Sequence, residues 1–237
     1  MIASAHATAP VPVPVPVTAA AADLELRQQL LASARALNAS GLNQGTSGNV
    51  SVRIEGGLLI TPTSLPYGQM GPDDLVALDL QGCPLVEGQR RPSSEWRLHA
   101  DILRSRPEAM AVVHCHSTSA TALACHGRGI PPFHYMVVVA GGADVRCAPY
   151  ALFGTQEFSD RALTALKDRQ AALLAHHGQV ALGTSLEQAL ALAIEIETLA
   201  RMYLQACSLG EPPLLSAEAI AAVAAQMQRR HYGITAG

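Results

Sequence analysis

The hexapeptide Ala111-Val112-Val113-His114-Cys115-His116 constrains this chain more than any other stretch. Its first three residues read as a buried strand, and two histidines then alternate with Cys115. Side chains alternate faces along a strand, so His114 and His116 share one face, about 7 Å apart along the chain. Two imidazoles so placed can reach one metal ion while Cys115 points the other way. They can equally be hydrogen-bonded surface residues, and the pair alone leaves that choice open. Two other stretches bear on it. Pro92-Ser93-Ser94-Glu95-Trp96-Arg97 carries a carboxylate, and Leu173-Leu174-Ala175-His176-His177-Gly178 brings two more histidines to the end of an apolar run. Being adjacent, His176 and His177 face opposite ways on an extended chain, so one of them at most is expected at a shared metal.

A core for one globular domain is available, because the chain has 237 residues, 49% of them hydrophobic and 15% charged. The net charge is -3 with neutral histidines. No Lys/Arg block exists, so nucleic-acid binding has no electrostatic footprint. The five cysteines are scattered without a Cys-x-x-Cys pair, which fits reduced thiols in a cytoplasmic protein better than a disulfide framework. No run reaches the ~18 apolar residues of a membrane span. No Lys or Arg precedes Arg27, so the basic region of a secretory signal is missing.

Residues 1–22 read as a disordered Ala/Val/Pro-rich tail around Pro10-Val11-Pro12-Val13-Pro14-Val15-Pro16, where alternating proline favours polyproline II. Residues 23–237 form the domain. Asp23 is the expected N-cap of a helix to about Ala39 with Leu24, Leu30, Leu31, Ala34 and Leu37 on its apolar face. Gly41 to Ser47 is a small-residue loop entering a strand at Gly48-Asn49-Val50-Ser51-Val52-Arg53, and such loops expose donors that can ring a phosphate or simply form a capped turn. Gly57 to Ile60 and Leu75 to Leu80 read as strands, separated by the hydroxyl-rich loop Thr61-Pro62-Thr63-Ser64-Leu65-Pro66. Ser93 or Ser94 is expected to cap a helix over Trp96 to Ser105, whose N-terminus attracts anions. Helices are also expected over Ser117 to His126, Thr155 to Asp168, Ser185 to Cys207 (the longest, with Leu186, Leu190, Ile194, Leu199 and Leu204 as its stripe), and from Ser216 to the region of His231. Short strands are expected at Val145 to Ala148, Ala171 to Ala175 and Val180 to Leu182.

In order along the chain, Gly41-Leu42-Asn43-Gln44-Gly45-Thr46, Ser47-Gly48-Asn49-Val50-Ser51-Val52-Arg53, Leu59-Ile60-Thr61-Pro62-Thr63, Pro92-Ser93-Ser94-Glu95-Trp96-Arg97, His134-Tyr135-Met136, Cys147-Ala148-Pro149-Tyr150-Ala151, Phe153-Gly154-Thr155 and His176-His177-Gly178 resemble the zinc-dependent class II aldolase family, in its L-fuculose-1-phosphate aldolase branch. The resemblance spans about Asp23 to Gly233. It implies an α/β fold, a three-layer α/β/α arrangement with a largely antiparallel central sheet. It also implies a homotetramer with active sites between neighbouring subunits. By position, Glu95, His114, His116 and His177 match the ligands of a catalytic Zn²⁺, whereas His6, His99, His126, His134, His176 and His231 match no ligand. Gly48, Asn49, Thr63, Ser64, Ser93 and Ser94 match the phosphate-binding positions, with Ser64 standing where the family usually has glycine. Tyr135 matches a tyrosine that reaches across the interface to the aldehyde oxygen, and Phe153 and Tyr232 match aromatics closing over the aldehyde end. The Gln228-Arg229-Arg230-His231-Tyr232 region departs from the family pattern.

The activity so implied is reversible aldol cleavage of a ketose 1-phosphate, L-fuculose 1-phosphate first, to dihydroxyacetone phosphate and L-lactaldehyde. Glu95 and Tyr135 would handle the protons. Relatives of this site offer other readings: cleavage of 5-deoxy- or methylthio-ribulose 1-phosphate, an L-ribulose-5-phosphate 4-epimerase, or a methylthioribulose-1-phosphate dehydratase. The epimerase branch normally carries aspartate where Glu95 stands. A scaffold resembling the adducin head would lack the ligands, and all four are here.

Overall fold

The computed structural model describes residues 17–230. In chain order its elements are α1 (Val17–Ala39), β1 (Asn49–Ile54), β2 (Gly57–Ile60), β3 (Val76–Asp79), α2 (Trp96–Ser105), β4 (Ala111–Cys115), α3 (Thr118–Cys125), β5 (Arg146–Ala148), α4 (Gln156–Ala165), β6 (Ala171–Leu174), β7 (Gly178–Gly183), α5 (Leu186–Cys207) and α6 (Ala217–Arg229). The strands form one seven-stranded sheet in the order β3-β2-β1-β4-β7-β6-β5. Every ladder is antiparallel except β5 with β6. The largely antiparallel sheet expected from the resemblance is therefore present.

The three layers follow from the period of two along each strand. On one face, Val50, Leu59, Ala77, Ala111, Val113, Cys115, Leu173 and Ala181 pack with the apolar sides of α1, α3 and α5. On the other, Leu58, Ile60, Val76, Leu78, Val112, Leu174, Val180 and Leu182 pack with Leu98, Ile102 and Leu103 of α2 and with Phe158 and Ala162 of α4. His114 falls on the second face, in step with Val112.

Buried and partly buried polar groups tie neighbouring elements together. Asp101 of α2 accepts from Ser159 Oγ (2.7 Å) and Gln156 Nε2 (2.9 Å) of α4. Arg53 of β1 donates to the carbonyls of Leu103 (2.6 Å) and Arg106 (3.1 Å), closing the C-terminal end of α2 where a cation is favoured. Glu197 of α5 accepts from the backbone N–H groups of Ser119 (2.8 Å) and Ala120 (2.9 Å), so a side chain from another helix caps α3.

Several local expectations need correcting. Helix α1 begins at Val17 rather than at Asp23, so only residues 1–16 of the expected tail lie outside the described residues, together with Tyr232. At 23 residues α1 is one longer than α5, which is therefore not the longest helix. Neither Ser93 nor Ser94 caps α2: its N-cap is Glu95, without a side-chain cap bond. On α5 the buried side is Leu186, Ala189, Ala193, Ile196, Leu199, Ala200 and Tyr203, while Ile194 and Leu204 are exposed. A four- and five-residue spacing between large aliphatics drifts off a 3.6-residue period, and small alanines let α5 lie close against β4 and β7. Thr155, Ser185 and Ser216 do cap their helices.

Glu197→Ala leaves the first N–H groups of α3 without their acceptor. It should lower the unfolding free energy by about 1–2 kcal/mol. A urea midpoint equal to that of the native chain would show that water replaces the carboxylate without loss.

Candidate active site

Glu95 at the start of α2, His114 in β4, His116 just beyond it, and His177 in the turn between β6 and β7 converge on one point. One ligand atom from each lies within 4.8 Å of all the others. His114 Nε2 is 3.1 Å from His116 Nε2 and 3.3 Å from Glu95 Oε2, and His177 Nε2 is 3.2 Å from Glu95 Oε1. The three rings meet edge-on, with interplanar angles of 67°, 87° and 75°, so nitrogens rather than ring faces are presented to one another.

Local geometry explains the convergence. β4 pairs with β7 until Cys115 meets Gln179. The chain then leaves the sheet as His116 N–H donates to Asn43 Oδ1 at 2.8 Å. His176 has φ +56°, a left-handed turn residue that sends His177 toward the cluster and leaves His176 edge-on to Tyr150. Phe158 of α4 stacks on the His177 ring at 5.1 Å. At Gly178 a Cβ would stand 2.3 Å from the Cys115 carbonyl oxygen and 3.1 Å from His116 Cδ2, so a side chain there would push the two histidine segments apart. Gly48 combines φ +69° with a Cβ position 2.5 Å from the His114 carbonyl oxygen.

The donor set fits a divalent metal. His114 Nδ1 lies 2.8 Å from the Gln179 carbonyl oxygen, which can only accept, so Nδ1 carries the proton and Nε2 turns its lone pair to the cluster. Glu95 Oε1 is buried without a hydrogen-bond partner. Electron-pair donors facing one another at these distances repel unless a cation or a proton stands among them. Three imidazole nitrogens make the kind of three-ligand set used at catalytic metal sites, with the carboxylate at a fourth position that a substrate can take over.

The protonation balance follows the same logic. Burial opposes the charge of Glu95, but His114, then His177 and the Asn49 amide, outweigh it and hold the carboxyl well below the usual range. Burial also opposes charge on His114, and Glu95 overcomes it, raising that imidazole. His116 and His177 are both lowered to about 4, by burial first and then by the charge of His114.

The expected phosphate residues divide into two groups. Ser93 and Asn49 are buried and bonded inside: Asn49 Nδ2 donates to Ser93 Oγ and to Glu95 Oε2, both at 2.9 Å. Thr63, Ser64 and Ser94 are exposed, with the Thr63 and Ser64 hydroxyls 3.3 Å apart. A bridge between Pro62 and Pro92 and a hydrogen bond from Ser93 N–H to the Thr61 carbonyl bring the two loops together. Ser64 has φ +59°, a left-handed backbone conformation that glycine adopts more easily. Phe153, exposed, has its ring 6.5 Å from that of His177. Tyr135 is about half exposed and packs on His134 at 4.7 Å, on a 3-10 helix apart from the ligand segments.

Sequence reasoning missed three supporting residues. Phe158 falls inside the expected helix over Thr155 to Asp168 and carried no signal of its own. Gln179 gave a usable signal, a polar residue inside a buried strand; its backbone oxygen fixes His114 and its amide donates to Ser117 Oγ at 2.7 Å. His99, set aside as a non-ligand, is indeed outside the cluster but is fully buried behind it.

Burial, then the nearby charge of His114, lowers His99 to about 3. A neutral histidine in the fold that titrates near 6.5 when unfolded means the unfolded chain binds more protons across that window. The His99 contribution is therefore complete above about pH 6.5 and lost as pH falls toward 3. From pH 6.5 to 5, native and His99→Gln proteins freed of metal should diverge in urea stability by about 1–2 kcal/mol, the native losing more. Parallel curves would mean that His99 does not titrate this way.

Comparison with known proteins agrees with this geometry. Residues 28–204 match the family model of the class II aldolase and adducin N-terminal domain. The chain is 50% identical to a 5-methylthioribulose-1-phosphate/5-deoxyribulose-1-phosphate aldolase of Rhodospirillum rubrum, over 82% of this chain and 87% of that one. It is 47% identical to the L-fuculose phosphate aldolase of Escherichia coli, over 84% and 92% respectively. A solved L-fuculose 1-phosphate aldolase superposes with a TM-score of 0.82 at 37% identity, covering 86% of this chain and 96% of that one. No helix among the described residues is long and apolar enough to cross a membrane. With its histidine and carboxylate cluster in place on this sheet, the chain belongs to the class II aldolase family and is an aldehyde-lyase.

Proposed function

We propose that the chain cleaves a ketose 1-phosphate reversibly into dihydroxyacetone phosphate and a short aldehyde, with L-fuculose 1-phosphate as substrate, L-lactaldehyde as the aldehyde and Zn²⁺ as cofactor. The observation that carries this reading is the convergence of Glu95, His114, His116 and His177, with Glu95 Oε1 left without a hydrogen bond. A zinc ion held by these residues supplies Lewis acidity, polarising the substrate ketone and stabilising the negative charge that develops as the C–C bond breaks.

The chain's own groups supply the rest. Thr63, Ser64 and Ser94, with the Gly48–Asn49 turn and the backbone around Ser93, offer neutral donors beside the N-terminus of α2, where a phosphate is favoured. Glu95 moves the proton to and from the carbon next to the ketone. Withdrawn from its charged partners into a drier pocket, its carboxyl rises toward the range useful for that transfer. Tyr135 handles the proton on the aldehyde oxygen from a neighbouring copy in a homotetramer, a role its exposure permits. Phe153, and Tyr232 from outside the described residues, enclose the aldehyde end. The cytoplasm is the compartment that fits this chemistry and the free cysteines.

A second reading, cleavage of 5-deoxy- or methylthio-ribulose 1-phosphate, is favoured by the Rhodospirillum rubrum relative. Both readings release dihydroxyacetone phosphate and differ in the aldehyde alone.

Purified protein should release dihydroxyacetone phosphate from L-fuculose 1-phosphate, lose that activity on chelation, and regain it with zinc. Faster release from 5-deoxyribulose 1-phosphate would transfer the assignment to the second reading, and release from neither would remove both. Glu95→Gln should keep zinc through its three histidines and lose about 100-fold or more in kcat. Unchanged turnover with zinc bound would take the proton transfer away from Glu95.

A further inference from the structure

Behind Glu95 runs a buried polar chain that the ligand set does not use. Asn49 and Ser51 lie on β1, His99 on α2, and Ser93 just before α2. Their exposures are 3%, 0%, 0% and 6%. His99 Nε2 is 2.5 Å from Asn49 Oδ1, and His99 Nδ1 is 2.7 Å from Ser51 Oγ. Asn49 Nδ2 is 2.9 Å from both Glu95 Oε2 and Ser93 Oγ.

The direction of every bond follows from Glu95 outward. An ionised carboxylate only accepts, so Asn49 must turn its NH₂ toward Glu95. Its carbonyl oxygen then faces His99 and also only accepts, so His99 Nε2 must carry a hydrogen. A neutral imidazole has one N–H, which leaves Nδ1 to accept from the Ser51 hydroxyl. With the amide reversed, its oxygen would stand against the carboxylate. Such a chain has one consistent arrangement, and breaking any link leaves a buried polar atom unpaired.

We infer that His99 is a positioning residue for the reaction: as its Nε2–H tautomer it fixes the Asn49 amide, which anchors Glu95 by Oε2 and leaves Oε1 turned toward His177. The inference rests on the reading of Glu95 as ligand and proton carrier. On the same helix Leu98 and Ile102 belong to the apolar cluster of that sheet face, whereas His99 is engaged in the polar chain.

Two substitutions of similar polarity separate positioning from packing. A glutamine at this site extends its amide nitrogen about as far as imidazole Nε2, while an asparagine reaches only as far as Nδ1. His99→Asn should lower kcat for dihydroxyacetone phosphate release by about 10–100-fold with KM changed less than about 3-fold, and should weaken zinc affinity about 10-fold in chelator competition. His99→Gln should stay within about 3-fold of the native protein in all three. Equal losses in the two variants, or none in either, would overturn the inference. A third measurement needs neither the reaction nor the metal. In the metal-free native protein, ¹⁵N NMR at pH 7 should show the His99 ring with Nε2 protonated and Nδ1 bare, and the opposite tautomer or a doubly protonated ring would overturn it even if His99→Asn failed to fold. Should the native protein release dihydroxyacetone phosphate from no ketose 1-phosphate, the proposed reaction falls, while the tautomer and the zinc affinities still decide the role of His99.

Discussion

Strand β4 is hydrogen-bonded to β1 on one side and to β7 on the other, and the clustered histidines are placed by reference to that double pairing. Its register sets His114 opposite Asn49 and Val180. The same register brings the Gln179 carbonyl to His114 Nδ1 and lets the next turn deliver His177. Because the pleat has a period of two, a slip of one residue along either ladder would carry His114 from the α2 face into the apolar layer under α1, α3 and α5. The hydrophobic contacts of Val113 and Ala181 on that other face therefore hold the geometry of the cluster as well as the fold.

The clustering of His114 and His116 was legible because two histidines share one strand face, whereas the choice of His177 over His176 came through resemblance. Glu95 entered through resemblance, since a carboxylate at a helix start is equally explained by the helix dipole. The layer order was legible only by resemblance too, as short apolar runs do not say which strand pairs with which. On α5 the burial of alanines in preference to Ile194 and Leu204 was hidden, because residue size and closeness of packing pull a pattern reading in opposite directions. Side-chain bonds between distant segments, such as Glu197 to α3 or Asn43 to His116, leave no local mark in a sequence at all.

Electrostatics and packing impose opposite demands at this site. Glu95 and His114 are both almost wholly buried, and burial opposes charge on each while the other favours it. Neutral groups behind them settle orientation without adding charge: the Asn49 amide donates to Glu95, and the Gln179 carbonyl accepts from His114. This leaves the open side of the cluster to the partly exposed His116 and His177. Rigid at the back and accessible at the front is the arrangement that ligand exchange at a metal requires.

Cys115 stands between the two histidines of the central strand, yet the alternation of the pleat turns its thiol into the apolar layer on the far side. Burial pushes that thiol up to about 12. A thiolate on the same face as the two imidazoles would add a soft donor to the cluster, of the kind that favours a metal such as copper(I). Sequestered and protonated, it can neither recruit one nor be readily oxidised. The pleat thus keeps a thiol that is one residue from each histidine out of the cluster and away from solvent, with no residue devoted to that task.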